Sequence, residues 1–251
     1  MFRTERQTII LEELARVGRV STTELAQRFG VSEDSIRKDL QRLSADGLIQ
    51  RVYGGAVSLD DTPDRNVTAR VDAYRPQKQQ IAQKAYDLIQ NDQTIYLDVS
   101  STNLYLADLL AKGEKHVIVV STMLDVIKRV AAGKNVIAQC PGGKMDVELN
   151  GFVGATTLSV LQDMCFDLAF LGALGANVED DAVTVFDMED GVVKRTVLHG
   201  ATKAYVLADA HKFHAHGNYR YAGLSDFTGV ITDDAGVAYA DAIRKLGIEL
   251  L

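Results

Sequence analysis

The sequence predicts an α/β protein in which an N-terminal winged helix-turn-helix precedes a larger, mostly parallel α/β domain. Residues 1–57 carry three short amphipathic helical patterns followed by a weak hairpin pattern. From residue 77 onward, short β-rich runs alternate with helical segments, which favours a parallel sheet covered by helices. The intervening residues 58–76 are polar and hold Pro63 and Pro76. We therefore divide the chain into a domain at 1–57, a linker at 58–76 and a second domain at 77–251.

Bulk composition is that of a water-soluble protein. Hydrophobic residues make up 47% and charged residues 24% of the 251 positions. No run approaches the roughly 20 apolar residues of a membrane span, and the first residues lack a signal-peptide core. These features predict a cytoplasmic protein with no membrane contact. Two isolated cysteines, Cys140 and Cys165, form neither a disulfide framework nor a zinc motif and are expected to be buried thiols.

Charge is distributed unevenly along the chain, whose net charge is −7. Residues 1–57 hold 9 Lys and Arg against 8 Asp and Glu, whereas residues 58–251 hold 18 against 26. The first part is therefore +1 and the second −8. A nucleic-acid contact in the first part must depend on where its basic residues lie rather than on their number.

Three helical stripes and two hydroxyl caps organise the first 57 residues. Ser21 and Ser32 are placed to cap the second and third helices. Residues 48–57, around Gly54 and Gly55, are expected to form a hairpin or wing. The apolar stripes of the three helices are Ile10, Leu14 and Val17; Leu25, Ala26 and Phe29; and Ile36, Leu40 and Leu43.

The third helix has the position of a DNA-reading helix. Two helices joined by a short turn allow the second to enter the major groove, where arginine reads guanine and lysine or serine holds phosphate. The alternative is an ordinary three-helix bundle with a solvated charged face. The candidate DNA contacts on the leading end and outer face of the helix, and on the wing, are Ser32, Asp34, Ser35, Arg37, Lys38, Gln41, Arg51 and Tyr53.

The second domain alternates strands and helices. The expected strands are 94–99, 117–120, 135–139, 167–171, 204–208 and 229–232. The expected helices are 77–91, 102–112, 122–133, 155–164, 188–200 and 235–246.

The loops after these strands carry small hydroxyl residues, glycines and charged side chains. Ligands of open α/β sheets bind at the carboxyl ends of strands, and a helix N-terminus suits a phosphate. Each loop alone is an ordinary helix cap, but several on one sheet edge indicate a site. The candidate residues are Asp98, Ser100, Ser101, Thr102, Asn103, Ser121, Gly142, Gly143, Gly172, Asp187, Glu189, Lys194 and Lys212.

Specific motifs resemble the DeoR family of bacterial regulators. In the first domain they are Ser35-Ile36-Arg37-Lys38-Asp39-Leu40 and the wing ending Gly54-Gly55-Ala56. In the second they are Phe170-Leu171-Gly172-Ala173-Leu174-Gly175, the stretch from Asp187 to Arg195, and Ala208-Asp209 through Lys212-Phe213. The resemblance implies a sensor domain similar in fold to ribose-5-phosphate isomerase and a phosphorylated sugar as effector. The family's phosphate loop usually has glycine where this chain has Ser100, whose Cβ narrows the approach of a phosphate.

Three functions fit parts of this pattern. A repressor of a carbohydrate-utilisation operon would bind double-stranded operator DNA, respond to the phosphorylated sugar, and form a homodimer or homotetramer to reach two half-sites. A sugar-phosphate isomerase would use Asp187, Glu189 and Lys194, but it leaves the helix-turn-helix unexplained. A pure interaction module leaves the phosphate-type loops unexplained. We therefore expect a regulator with no catalytic residues and no cofactor.

A metal site is the remaining alternative. Three histidines, His211, His214 and His216, lie within six residues, but no acidic or cysteine partner stands at ligand spacing. A solvated loop is the simpler interpretation, and we expect no metal.

Overall fold

The computed structural model describes residues 3–17, 19–46, 48–52, 54–58 and 66–251. The chain separates into two compact units, Met1–Pro63 and Asp64–Leu251. Among the described residues, none of the helices has both the length and the apolar character that crossing a bilayer requires.

The first unit is a helical core closed by a small antiparallel sheet. Its helices are α1 (Arg3–Val17), α2 (Thr22–Phe29) and α3 (Glu33–Ala45), and its strands are β1 (Arg19–Ser21), β2 (Ile49–Val52) and β3 (Gly55–Ser58). The strand order is β1-β3-β2, so the predicted wing is the β2–β3 hairpin. The sequence did not predict β1, because three residues are too few to show a strand period.

Local sequence explains how α2 and α3 begin and how they are joined. Ser21 accepts the amide of Glu24, and Ser32 accepts the amide of Ser35. Gly30 ends α2 in the left-handed conformation at φ 62°, which glycine adopts without steric cost. The predicted stripes form the core: Ile10, Leu14, Leu25, Ala26, Ile36, Leu40 and Leu43 are buried.

The second unit alternates helices and strands. The helices are α4 (Arg75–Leu88), α5 (Ser101–Lys112), α6 (Leu124–Val130), α7 (Ala155–Leu161), α8 (Met188–Gly200) and α9 (Ala240–Lys245). The strands are β4 (Gln93–Leu97), β5 (Val117–Val120), β6 (Val136–Gln139), β7 (Lys144–Asp146), β8 (Gly151–Val153), β9 (Phe166–Gly172), β10 (Gly175–Asn177), β11 (Ala182–Val185), β12 (Ala201–Leu207), β13 (Tyr219–Ala222), β14 (Gly229–Ile231) and β15 (Glu249–Leu250).

Seven strands form one parallel sheet in the order β15-β14-β12-β9-β4-β5-β6. The chain runs outward from β4 through β5 to β6, then returns to β9 on the other side of β4 and runs outward again. The order therefore reverses between β4 and β9. The carboxyl ends of these two neighbouring strands form what we call the switch point, where open α/β sheets bind ligands.

Helices cover both faces of this sheet with separate apolar cores. One core joins α4, α5 and α6 to side chains such as Ile95, Leu97 and Phe170. The other joins α7, α8 and α9 to Tyr96, Phe166 and their neighbours. Covered faces explain why the central strands are almost continuously apolar. The predicted fold class, a winged helix-turn-helix followed by a mostly parallel α/β domain, is confirmed.

Two smaller sheets flank the main one. Strands β7 and β8 form a hairpin, and β10, β11 and β13 form an antiparallel sheet in that order. The sequence did not predict these strands, because each has only three or four residues and a weak alternation.

Three expectations differ from the structure. The expected helix at 235–246 is α-helical only over α9, because Asp234–Tyr239 forms a 3-10 helix. Residues 66–74, which the sequence predicted as part of a linker, pack on the second unit: Val67 is buried, and its amide donates to the Glu148 carbonyl at 3.0 Å. The expected burial of both cysteine thiols is wrong, because Cys140 and Cys165 are exposed. Cys140 follows the edge strand β6 and Cys165 precedes β9, so each lies just outside a strand rather than within the sheet.

Candidate functional site

The outer face of α3 carries the predicted DNA-contact residues. Arg37 pairs with Glu33 at 2.9 Å and Lys38 with Asp34 at 3.0 Å, and all four side chains are well exposed. Such exposed pairs contribute little to stability, so both cations are free to exchange a carboxylate for a DNA phosphate or base. Gln41 and Arg51 are also exposed, and the Ser32 and Ser35 hydroxyls lie 3.0 Å apart at the leading end. Tyr53 lies outside the described residues.

Asp39 braces α3 from its inner side. Its carboxylate is fully buried and accepts from Arg6 Nε at 2.6 Å and from Arg3 Nε at 3.2 Å, both on α1. The pairing fixes the rotation of α3 about its axis and hence the face that carries Arg37. The sequence did not predict this role of Asp39, and the available signal was a carboxylate one residue before the buried Leu40.

At the switch point, Asp98 and Lys194 form a buried ion pair across β4 and α8. Asp98 follows β4, and its Oδ2 accepts from Lys194 Nζ and from the Gly172 amide at 2.7 Å. Gly172 is the last residue of β9, so one carboxylate joins the two strands at which the sheet order reverses. A Cβ at Gly172 would lie 2.8 Å from the Ser100 Cβ, which explains why glycine is needed there.

Asp190 completes this charged group. Its Oδ1 lies 3.4 Å from Lys194 Nζ. Burial raises the pKa of Asp190 to about 7, although Lys194 acts in the opposite direction. Burial alone would lower the pKa of Lys194, but Asp190 and Asp98 outweigh it and raise that pKa. Lys194 is therefore a cation held by two carboxylates, and one of these titrates near neutrality.

The first turn of α5 supplies hydroxyls and an amide beside the switch point. Ser100 caps the helix by accepting the Thr102 amide at 3.2 Å, while Ser101 and Thr102 are nearly buried. Asn103 donates from Nδ2 to the carbonyls of Asp98 and Phe170 at 3.0 and 2.9 Å, so it too joins β4 to β9. Asp98 Oδ1 and Asn103 Oδ1 are buried acceptors without a partner in the described structure. Such atoms are costly unless a donor from water or a ligand reaches them.

Lys212 belongs to a second charged group at the same sheet edge. It follows β12, and its charge acts on Lys78 of α4 and on Asp209. Burial, together with the positive charge of Lys212, lowers the pKa of Lys78 to about 8. Burial would raise the pKa of Asp209, but its hydrogen bond with His211 and the charge of Lys212 hold it below its usual value. Sequence analysis missed Lys78, since a lysine in a first helical turn gives no sign of burial.

The remaining predicted residues surround these two groups without joining either. Ser121 is buried after β5, and its hydroxyl accepts the Met123 amide at 3.0 Å. Gly142 and Gly143 follow β6 with φ of 69° and 130°, conformations that favour glycine. The carboxylate of Asp187 caps α8 by accepting the amides of Glu189 and Asp190.

Glu189 ties α8 to the β7–β8 hairpin. Its carboxylate pairs with Lys144 of β7 at 2.8 Å on the surface. The structure thus brings together Asp98, Ser100, Thr102, Asn103, Gly172 and Lys194, and it places Lys212 with Lys78 instead.

A metal centre finds no support in the described part of the chain. No group of three or more His, Cys, Asp or Glu side chains lies close enough there to hold an ion. His211 packs against Tyr74 with ring centroids 4.0 Å apart and a tilt of 35° between the rings, and the His214 side chain lies outside the described part.

Two family models match this chain. The DeoR-like helix-turn-helix domain matches residues 6–62, and the DeoR C terminal sensor domain matches residues 74–234.

Characterised and uncharacterised regulators are similar over nearly the full length. The chain is 30% identical to the uncharacterized HTH-type transcriptional regulator FruR of Bacillus subtilis (strain 168), over 100% of this chain and 99% of that one. It is 28% identical to the glycerol-3-phosphate regulon repressor of Escherichia coli (strain K12), over 93% and 92%. It is 29% identical to the L-fucose operon activator of Haemophilus influenzae (strain ATCC 51907 / DSM 11121 / KW20 / Rd), over 91% of each chain.

Among solved structures, ribose 5-phosphate isomerase A from Methanocaldococcus jannaschii aligns with a TM-score of 0.39 and 19% identity. That alignment covers 54% of this chain and 52% of the isomerase.

Proposed function

The chain belongs to the DeoR family of DNA-binding transcription regulators, and from that premise we propose that it represses a carbohydrate-utilisation operon under the control of a phosphorylated sugar. Relatives named as a glycerol-3-phosphate regulon repressor and as an L-fucose operon activator support this class of target. The observation that carries the proposal is that one chain contains both an exposed face on α3 with basic residues and a polar switch point in the second unit.

We propose that α3 reads the operator through Arg37 and Lys38. Replacing Arg37 by alanine should weaken operator binding by about 1–3 kcal/mol, which is the usual contribution of an arginine that reads a base. Fluorescence anisotropy titrations of labelled operator measure this. Arg244→Ala is the matched control, because Arg244 is also an exposed helical arginine in an ion pair but lies in the second unit. Equal affinity in the parent and in Arg37→Ala would remove α3 from the interface.

The effector phosphate is proposed to lie at the first turn of α5. Ser101 and Thr102 stand where the amides and the positive end of a 12-residue helix converge. Lys194 is committed to Asp98 and Asp190, so we assign the charge partner to Lys212, assisted by Lys78. Asp98, Asn103 and their unpartnered oxygens are placed to accept the sugar hydroxyls.

Ser101→Asp tests this placement. A carboxylate about 4 Å from the phosphate would repel it by roughly 4 kcal/mol at an effective dielectric near 20, enough to remove micromolar affinity. Operator titrations with and without a sugar phosphate, chosen from a panel by thermal shift, should show unchanged DNA binding but no response to the sugar. Ser159→Asp, on the exposed side of α7, should respond like the parent. An unaltered response in Ser101→Asp places the phosphate elsewhere.

We propose that the protein has no isomerase activity. The motivation is the DeoR-like helix-turn-helix at residues 6–62, which belongs to a DNA-binding regulator and has no use in a sugar-phosphate isomerase. Incubation with pentose and hexose phosphates, followed by product analysis, tests this directly. Turnover that Asp187→Ala abolishes would establish the enzyme instead.

Operator binding also implies an assembly and a compartment. A helix-turn-helix usually needs two half-sites for affinity, so we propose a homodimer or homotetramer. Because its target is chromosomal DNA, we place the protein in the bacterial cytoplasm.

A further inference from the structure

Strand β6 lies at one edge of the parallel sheet, and one face of this strand is exposed. Among the described residues it pairs with β5 alone in the main sheet, so it is an edge strand. Val136 and Ala138 pack against the core beneath α6, whereas Ile137 on the opposite face is 60% exposed and Gln139 beside it is exposed too. Parallel sheets are normally covered on both faces, and lone edge strands are normally blunted by charge or proline. Residues 136–139 contain neither.

The backbone of β6 is ready to pair on its open side. The carbonyls of Asn135 and Gln139 accept from the amides of Val117 and Ser121, so these residues point toward β5. Since successive residues of a strand alternate, the amides and carbonyls of Val136 and Ala138 point away from the sheet. They form a short hydrogen-bonding edge of two residues.

An uncharged groove lies beside this edge. It has a volume of about 310 Å³ and runs between the sheet and α7. Its lining residues are Val120, Gln139, Cys140, Pro141, Val160 and Met164. None is charged, although residues 58–251 together carry 18 basic and 26 acidic side chains. Two copies of this acidic domain can therefore approach at the groove without bringing like-charged lining residues together.

We propose that β6 is a dimer interface, at which the strands of two copies pair antiparallel about a twofold axis at Ile137. In this register Val136 of each copy bonds to Ala138 of the other, which uses all four outward amides and carbonyls. Ile137 then opposes its own copy in a non-hydrogen-bonded pair, where side chains are closest. A twofold axis perpendicular to the sheet keeps the two grooves on one face, so that the exposed Ile137 and Val160 side chains become buried between two α7 helices. This inference rests on the proposed function in one respect: an operator with two half-sites requires a second copy of the chain.

Two variants of the full chain disrupt the interface in different ways. Ala138→Pro removes only an outward amide and leaves the β5 pairing intact, as proline is tolerated on the open side of edge strands. Ile137→Asp puts two carboxylates opposite each other. Multi-angle light scattering should show half the parent's mass for both variants. Val147→Asp, in the exposed β7–β8 hairpin, is the control and should keep the parent's mass.

A cross-link tests the register itself. With Cys140 and Cys165 replaced by serine, Ile137→Cys should oxidise to a disulfide-linked dimer, whereas Val147→Cys should not. A monomeric parent, or a parent-like mass in both Ala138→Pro and Ile137→Asp, would overturn the proposal. A dimer that Ile137→Cys fails to cross-link would overturn the register and with it the interface. These readouts are independent of DNA and sugar, so failure of the proposed regulatory function would leave them unchanged.

Discussion

At the scale of single residues, two of the ion pairs in the second unit lie in very different environments. Lys194 is 1% exposed and faces two buried carboxylates, whereas Lys144 and Glu189 pair on the surface. A buried pair gains little over an apolar replacement of both partners, but removal of one partner leaves an uncompensated buried charge. The charged group of Lys194, Asp98 and Asp190 is therefore more important for the local structure than the number of its hydrogen bonds indicates.

Lys194→Met tests this difference. The methionine fills a similar volume but leaves Asp98 and Asp190 without their cation, so the free energy of unfolding should fall by about 3–5 kcal/mol. Urea unfolding followed by circular dichroism measures the loss. Lys144→Met, which removes an exposed cation, should leave the midpoint nearly unchanged. Equal midpoints for the two variants would contradict the assigned burial.

Asp190 should make stability depend on pH. Its pKa is about 7 in the folded protein, against an ordinary value of 3.8 for an aspartate side chain. Below pH 4 both states are protonated. Between pH 4 and 7 the unfolded chain loses this proton while the folded protein keeps it, so stability decreases as pH rises. The elevated pKa of Lys194 acts only at much higher pH, outside this window. Relative to Asp190→Asn, the parent should lose stability from pH 4 to 7 in urea titrations, and parallel profiles would refute the shift.

At the scale of elements, α1 and α3 are coupled through Asp39. In the proposed complex the operator-binding face depends on this coupling, because Asp39 holds the inner side of α3 to Arg6 and Arg3 while Arg37 lies on the outer side. An operator-binding defect can thus arise from a residue that faces away from DNA.

Asp39→Asn should weaken operator binding without removing a DNA contact. Arg6 keeps its burial but loses its counter-charge, which destabilises the first unit. Hydrogen exchange should become faster across α1 and α3, and sugar-induced thermal stabilisation of the second unit should persist. Asp46→Asn, an exposed carboxyl at the end of α3, serves as control. Unchanged exchange in α1 would show that the brace is dispensable.

Elements with strong periodicity were predictable and short ones were not. The runs that became β4, β5, β9 and β12 are apolar and β-branched, so their positions followed from sequence to within a few residues. Strands such as β1 and β13 exist through pairing with partners distant in sequence, which no local pattern shows. The site divides similarly: the hydroxyls of α5 follow from helix capping, whereas burial of Lys78 and of Asp39 depends on which elements pack around them.

At the scale of the whole molecule, the negative charge is concentrated in the part of the chain that does not carry the helix-turn-helix. The first 57 residues have a net charge of +1 and residues 58–251 have −8. In the proposed complex, DNA contacts the α3 face that carries Arg37 and Lys38, while most of the negative charge lies in residues 58–251. Affinity then depends strongly on the few phosphate contacts that this face makes.

The dependence of operator affinity on salt concentration should report the number of these phosphate contacts. Arg37 is assigned to a base, so if Lys38 and Arg51 each neutralise one phosphate, two copies make four phosphate contacts. The logarithm of the binding constant should then fall with the logarithm of salt concentration with a slope of about −4. Anisotropy titrations between low and physiological salt measure this. Ile137→Asp, if monomeric, should halve the slope, and a slope near zero would contradict electrostatic binding.

The loops at the carboxyl edge have a consequence for how such a protein changes over generations. Segments such as Pro141–Lys144 and Ala208–Lys212 contribute few of the side chains in the two cores, which are built mainly from strands and helices. Mutations in these loops alter the chemistry offered to a metabolite while most of the folding free energy is retained. A duplicated copy can thus acquire a new inducer in small steps and still be inherited as a folded protein. The first unit is compact in itself, so mutations in it can change the operator preference independently of the second unit.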